Sequence, residues 1–146
     1  MLEFGNIVPN ANYILRPGGY AIIRRASGDI AVASTSMGLF LPGGGTHKSE
    51  SSEQSAVREA YEECGLKIHI LRSVGVADEF LFAQKEKKYY RKRCSFFEAE
   101  VVEEIRIKEP DHELIWMSPD TAASELHHAS HRWAVTVVCG LTSRSS

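Results

Sequence analysis

Cysteine is scarce in this sequence, long apolar runs are missing and net charge is nearly balanced, and each shortage removes a class of protein. Cys64, Cys94 and Cys139 are odd in number and far apart, so they do not read as a disulfide framework, and no Cys-x-x-Cys pair suggests a zinc site. Such usage suits a reducing cytosol, and a cytoplasmic location is expected. No segment approaches the roughly 20 apolar residues that a bilayer span needs. The opening MLEFGNIVPN has no basic stretch before an apolar core, so neither membrane insertion nor export is expected. A formal net charge of -2 argues against general nucleic-acid binding.

What is present is the composition of a soluble globular protein, 43% hydrophobic and 25% charged, without repeats, low-complexity tracts or a linker. A chain of 146 residues supports one core, so residues 1–146 are expected to form a single domain. Gly18 to Arg25 and Ile30 to Thr35 read as an antiparallel pair about a turn at Ser27-Gly28-Asp29. Pro42-Gly43-Gly44-Gly45 ends any strand from Leu39 and lets backbone approach a ligand. A helix over about Ser52 to Cys64 follows, with capping-box spacing at Ser51 and Gln54 and Gly65 at its end. Extended segments are expected from Ile68 to Ala77, Phe80 to Ala83, Cys94 to Val102 and Leu114 to Met117. Ser118-Pro119 starts a helix, and a last helix around His128 to Leu141 docks by a stripe of Trp133, Val137 and Leu141.

Residues 58 to 66, REAYEECGL, put three glutamates within five positions of the first helix. At roughly 100° per residue, Ala56, Val57, Ala60, Tyr61 and Cys64 share one side, and Glu59, Glu62 and Glu63 fill an adjoining arc. Like charges at this spacing repel by about 0.2–0.5 kcal/mol per pair, and the C-terminal end of the helix dipole adds to the repulsion. A solvated acidic face is one reading, since surfaces are rich in glutamate. The other is a site for a hard divalent cation, for which Mg2+ with its oxygen ligands is suited. Arg58 beside the cluster and the glycine loop before the helix favour the second.

Together these residues resemble the Nudix box, the signature of the Nudix hydrolases, written G-x5-E-x7-R-E-U-x-E-E-x-G-U with U aliphatic. Gly44, Glu50, Arg58, Glu59, Ala60, Glu62, Glu63, Gly65 and Leu66 fill it without a departure. At average residue usage a chance match is on the order of one in a billion per window. The resemblance implies an α/β fold, a Nudix-type α/β/α sandwich with a mixed β-sheet. It implies MutT-like, metal-dependent hydrolysis of a pyrophosphate bond in a nucleoside diphosphate-linked substrate. Glu59, Glu62 and Glu63 would be metal ligands with the Gly44 carbonyl, for Mg2+ or Mn2+ in its place. Glu59 is the best base within the box, Arg58 would orient the acids, and Glu50 would support them. A nucleoside triphosphate, oxidised and noncanonical ones included, is the expected substrate. A dinucleoside polyphosphate, a nucleotide sugar and a non-catalytic nucleotide-binding module are the alternatives, and the intact box favours catalysis. The partner is a small-molecule nucleotide, with no nucleic acid or membrane, and a homodimer is compatible with the family. Because some Nudix enzymes draw a base or ligand from a distant loop, Glu103, Glu104, Glu109 and Glu113 stay open.

From Lys85 to Arg93, KEKKYYRKR carries six basic residues in nine. It reads as a hairpin loop, either solvated or gripping substrate phosphates, with Lys87, Lys88, Tyr89 and Arg91 as candidate contacts. His127, His128 and His131 lack a His-Glu-x-x-His pattern and a third ligand, so packing and hydrogen bonding are preferred to zinc. Asp78 and Glu79 leave two readings open, polar contacts to a pocket and a strand boundary.

Overall fold

The turn at Gly28, whose φ of 91° suits glycine, joins β2 (Tyr13–Arg24) to β3 (Ile30–Thr35). The two strands share only the Arg24–Ile30 pair before they diverge. Into the gap between them goes the next segment: β4 (Gly38–Phe40) pairs with β3, and β5 (Gly43–Gly45) pairs antiparallel with Gly18–Tyr20 of β2. The glycines therefore form a strand of their own where the sequence suggests only a strand end. Pro42 sits at the change of partner, its carbonyl accepting from the Ala21 N–H at 2.9 Å.

The structure, a computed structural model, describes residues 1–105 and 111–141. Strand β1 (Leu2–Gly5) lies parallel to β6 (Leu66–Ala83), which forms a long hairpin with β7 (Lys88–Glu104); β7 runs parallel to β2. β8 (Glu113–Met117) covers the far edge of β3. The sheet is mixed, with the order β1-β6-β7-β2-β3. Helix α1 (Ser52–Cys64) packs on one face against Ala21, Ile23, Phe97 and Ala99. Helices α2 (Pro119–Glu125) and α3 (Ala129–Val138) pack on the other against Ile22, Val32 and Phe96. These three layers are the expected α/β/α sandwich. Among the described residues no helix is long and apolar enough to cross a membrane.

The caps of α1 follow the sequence closely. The Ser51 hydroxyl accepts from the Gln54 N–H at 3.1 Å, and the Gln54 side chain accepts from the Ser51 N–H at 2.8 Å. At the other end Gly65 takes a left-handed φ of 66° and its N–H reaches Ala60 and Tyr61. The buried stripe is rotated from expectation: Ser55, Ala56, Ala60 and Cys64 are inside, whereas Val57 and Tyr61 are exposed. α3 ends at Val138, short of the expected Leu141; Trp133 within it and Leu141 beyond it touch the core, Val137 is exposed, and His131, Ala134 and Val135 are the inward residues.

Three further differences have long-range causes. β2 begins at Tyr13, before the proline. Pro17 is tolerated because its carbonyl, and hence its missing N–H, faces Thr46 at 3.0 Å and not the β7 ladder. β6 runs unbroken through Asp78 and Glu79 because both carboxylates are satisfied from elsewhere. Arg93 Nε reaches the fully buried Asp78 at 3.0 Å with Arg91 also in contact, and Glu79 accepts from the Ser130 N–H at 2.8 Å, capping α3. The basic stretch is not a loop. Only residues 84–87 turn, and from Lys88 the chain is strand β7, paired with β6 and from Tyr89 with β2.

Candidate active site

One guanidinium organises the acidic end of α1. Arg58 donates to both oxygens of Glu50 at 2.7 and 3.1 Å, to Glu59 at 2.7 Å, to Glu62 at 3.0 Å and to the Gly45 carbonyl at 3.2 Å. This geometry uses the planar fork of arginine, which lysine lacks. Paired in this way, Glu50 has its pKa lowered to about 2, by the Arg58 hydrogen bonds first and then by the His47 N–H, while Arg58 is pushed above its ordinary value.

Glu63 stands apart from the arginine. Its carboxylate accepts from the Gly43 N–H at 3.0 Å and lies 3.2 Å from His112 Nε2. Burial, followed by repulsion from Glu59, raises its pKa to about 8 against the opposing pull of the Gly43 N–H. β5 supplies the floor. A Cβ on Gly44 would lie 2.9 Å from the Glu59 carboxyl carbon, so only glycine lets strand and carboxylate approach this closely. The Gly44 carbonyl accepts from the Ser55 hydroxyl at 2.9 Å and keeps a second lone pair.

Four carboxylates against one guanidinium leave an excess of negative charge, and a divalent cation with hard oxygen ligands fits it. Among the described residues no three acidic, His or Cys side chains already enclose one point. The hydrogen bonds explain why: Arg58 holds Glu59 and Glu62, while Gly43 and His112 hold Glu63. The donor set, carboxylates and a carbonyl, has the chemistry of a hard-cation site, which requires the carboxylates to turn from these partners, and the Glu59–Glu63 repulsion favours that.

Beside Glu63 opens a cavity of about 500 Å3 on the α3 face of the sheet, with Tyr20, Phe40, Lys92, His128 and His131 in its lining. Burial holds His131 neutral: its pKa lies well below the ordinary value, and Nδ1 accepts from the Leu41 N–H at 3.2 Å. Burial also lowers His128 to about 4. His127, His128 and His131 pack around Phe40 in tilted and edge-on contacts.

The basic residues divide by strand parity. Lys87 sits in the turn and Lys88 opens β7, both exposed and away from the cavity lining. The Tyr89 ring meets Tyr13 and Phe82, and Arg91 is bound to Asp78 and Glu3. Tyr89 and Arg91 thus point to the sheet face opposite the cavity, because a hairpin loop has no parity and a strand does. Lys92, which no sequence argument singled out, points into it.

Of the acids left open, Glu103 pairs with Lys67 at 3.9 Å, Glu104 ends β7 exposed and Glu113 lies in β8 opposite Ser34; Glu109 lies outside the described residues. Among the described residues His112 reaches Glu63 from beyond the box. No spacing rule connects the two, since the contact depends on how the chain returns to β8.

The family model of the NUDIX domain matches residues 11–136. The chain belongs to the Nudix family. Its chemistry is accordingly Nudix-type hydrolysis of a phosphoanhydride bond in a nucleotide-linked compound. A NUDIX hydrolase from Nitrosomonas europaea superposes with a TM-score of 0.71 at 16% identity, covering 87% of this chain and 90% of that one. The MutT NUDIX hydrolase from Burkholderia pseudomallei gives 0.63 at 27% identity, covering 86% and 98%. The E. coli dihydroneopterin triphosphate pyrophosphohydrolase gives 0.67 at 18% identity, covering 84% and 95%. No curated protein matches the sequence.

Proposed function

We propose that this Nudix protein is a Mg2+-dependent pyrophosphohydrolase of nucleoside triphosphates, with Mn2+ able to replace Mg2+. The observation that carries the reading is the excess of carboxylate at the end of α1, part of it gathered on Arg58 and part of it, Glu63, lining a cavity of about 500 Å3. Glu59, Glu62, Glu63 and the Gly44 carbonyl would hold the cation, which when bound supplies charge neutralisation at phosphoryl oxygens and a more acidic water.

The chain's own residues do the rest. Arg58 gathers Glu59 and Glu62 beside the cation position, and with the cation held its fixed charge limits how far they reorganise as charge develops in the transition state. Glu50 locks Arg58 in place through its bidentate pair. Glu59, held against Gly44, is the box residue that takes a proton from the attacking water. Tyr20, Phe40 and His128 offer apolar and aromatic surface to the nucleoside. The triphosphate named for the E. coli relative is in keeping with this substrate class.

A panel of nucleoside triphosphates, nucleotide sugars and dinucleoside polyphosphates, assayed for phosphate and pyrophosphate release with Mg2+ and with chelator, tests the reading. Metal-dependent pyrophosphate release from triphosphates is expected. Turnover confined to nucleotide sugars or dinucleotides would overturn the substrate class, and no turnover of any compound would make the protein a binding module.

A further inference from the structure

Among the described residues two cations on one face of the sheet have no ion-pair partner. Arg16 of β2 and Lys92 of β7 are direct neighbours in the parallel register, on strands about 4.8 Å apart, so their side chains leave the same face side by side. Among the described residues neither forms an ion pair, whereas Arg24, Arg25, Arg58, Arg72, Arg91 and Arg93 all do. Arg16 lies over the Tyr90 ring at 4.6 Å and donates to the Tyr90 hydroxyl at 3.3 Å. Glu79, opposite Lys92 on β6, is turned away to cap α3. Both cations line a cavity of about 230 Å3 that also holds one acid, Glu86, with which neither forms an ion pair. This small cavity shares Tyr20, Gly45 and Lys92 with the larger cavity in which Glu63 stands.

Like charges directly opposite on neighbouring strands destabilise a sheet. On the other face of β7 the same problem is solved internally, by Asp78 between Arg91 and Arg93. For Arg16 and Lys92 no described residue does so by an ion pair, and Glu86 alone does not balance both, so the natural counterion is an anion from outside. We infer that the Arg16–Lys92 cavity is a phosphate subsite, which holds the distal phosphates of a nucleoside polyphosphate and, equally, free pyrophosphate. A neutral sugar in this place would leave the two cations uncompensated. The inference deepens the triphosphate reading and rests on it for the substrate, though not for the anion.

Isothermal titration of the full chain with inorganic pyrophosphate, in chelator so that no metal bridges the acids, tests the subsite directly. The wild-type protein should bind, Arg16→Gln and Lys92→Gln should each weaken binding by about 10-fold or more, and Lys67→Gln, exposed beside Glu103, should not. With a nucleoside triphosphate as substrate the same two variants should raise KM and leave kcat near wild type. Absence of pyrophosphate binding by the wild type, or equal binding by both variants, overturns the subsite. If the wild type hydrolyses no triphosphate yet needs both cations to hold pyrophosphate, the subsite stands and the triphosphate reading fails.

Discussion

Two clusters of like charge meet at Gly45, and the protein treats them differently. The carboxylates at the end of α1 have a built-in organiser: Arg58 makes five hydrogen bonds among Glu50, Glu59, Glu62 and the Gly45 carbonyl. Among the described residues the cations Arg16 and Lys92 have no ion-pair partner, and Arg16 rests on the face and hydroxyl of Tyr90. An organiser is needed where direction matters, as it does for groups that act on a transition state. Where charge alone attracts a remote phosphate, loosely held side chains suffice. The acidic cluster should thus govern kcat and the basic pair KM.

The hardest test of that division is removal of one acidic charge. Glu62→Gln and Glu63→Gln should each lower kcat by at least about 100-fold, because each removes charge from a site that stabilises phosphoryl transfer. Folding should survive, since the substitution relieves repulsion. Steady-state kinetics across Mg2+ concentrations check this, and full turnover at limiting metal would remove that glutamate from the cation site.

The same repulsion gives the metal-free protein a pH dependence. Glu63 is raised from an ordinary 4.5 to about 8 by burial and Glu59. The folded chain therefore keeps a proton that the unfolded chain has released. The associated stability is complete below about pH 4.5 and is lost as pH rises through about 8. Allowing for solvent access at this partly open site, the loss is roughly 2 kcal/mol. Thermal melts in chelator at pH 5 and pH 9 should show it, and Mg2+ or Glu63→Gln should abolish it. An equal fall in the Glu63→Gln variant would assign the titration to another group.

A third comparison sets adjacent residues of one strand against each other. Arg91 faces Asp78 and Lys92 faces the cavity. Arg91→Gln leaves the buried Asp78 with Arg93 alone and should destabilise the fold by about 1–2 kcal/mol with KM unchanged. Lys92→Gln should do the reverse. Denaturant titration beside kinetics separates them, and a raised KM in the Arg91 variant would return that residue to substrate binding.

This alternation shows why part of the site could be read from sequence and part could not. The box, the Ser51 cap and the Gly65 terminus are local: their spacing along one helix brings the groups together whatever the rest of the chain does. Lys92 depends on long-range facts. Whether KEKKYYRKR is loop or strand, and which parity faces the cavity, is set by pairing with β2 residues more than 70 positions away and by Asp78 claiming the odd residues. β1 and β5 were unreadable for the same reason, since each exists only because a distant strand offers an edge, whereas β4 matches the strand read from Leu39.

The smallest effect concerns the loop that delivers Glu50 to Arg58. Ser49, just before it, has a φ of 71°, a left-handed conformation that costs a residue with a Cβ about 1–2 kcal/mol. Glycine removes that strain but adds chain entropy to the unfolded state, worth roughly 0.5–1 kcal/mol in the opposite direction. The difference leaves Ser49→Gly more stable by about 0.5 kcal/mol, or 1–2 °C in Tm for a chain of this size. The contacts of Glu50 with Arg58 and with the His47 N–H at 2.9 Å do not involve the Ser49 side chain, so kcat should be unchanged. A fall in kcat with the rise in Tm would show that loop stiffness, and not the arginine alone, positions the acidic cluster.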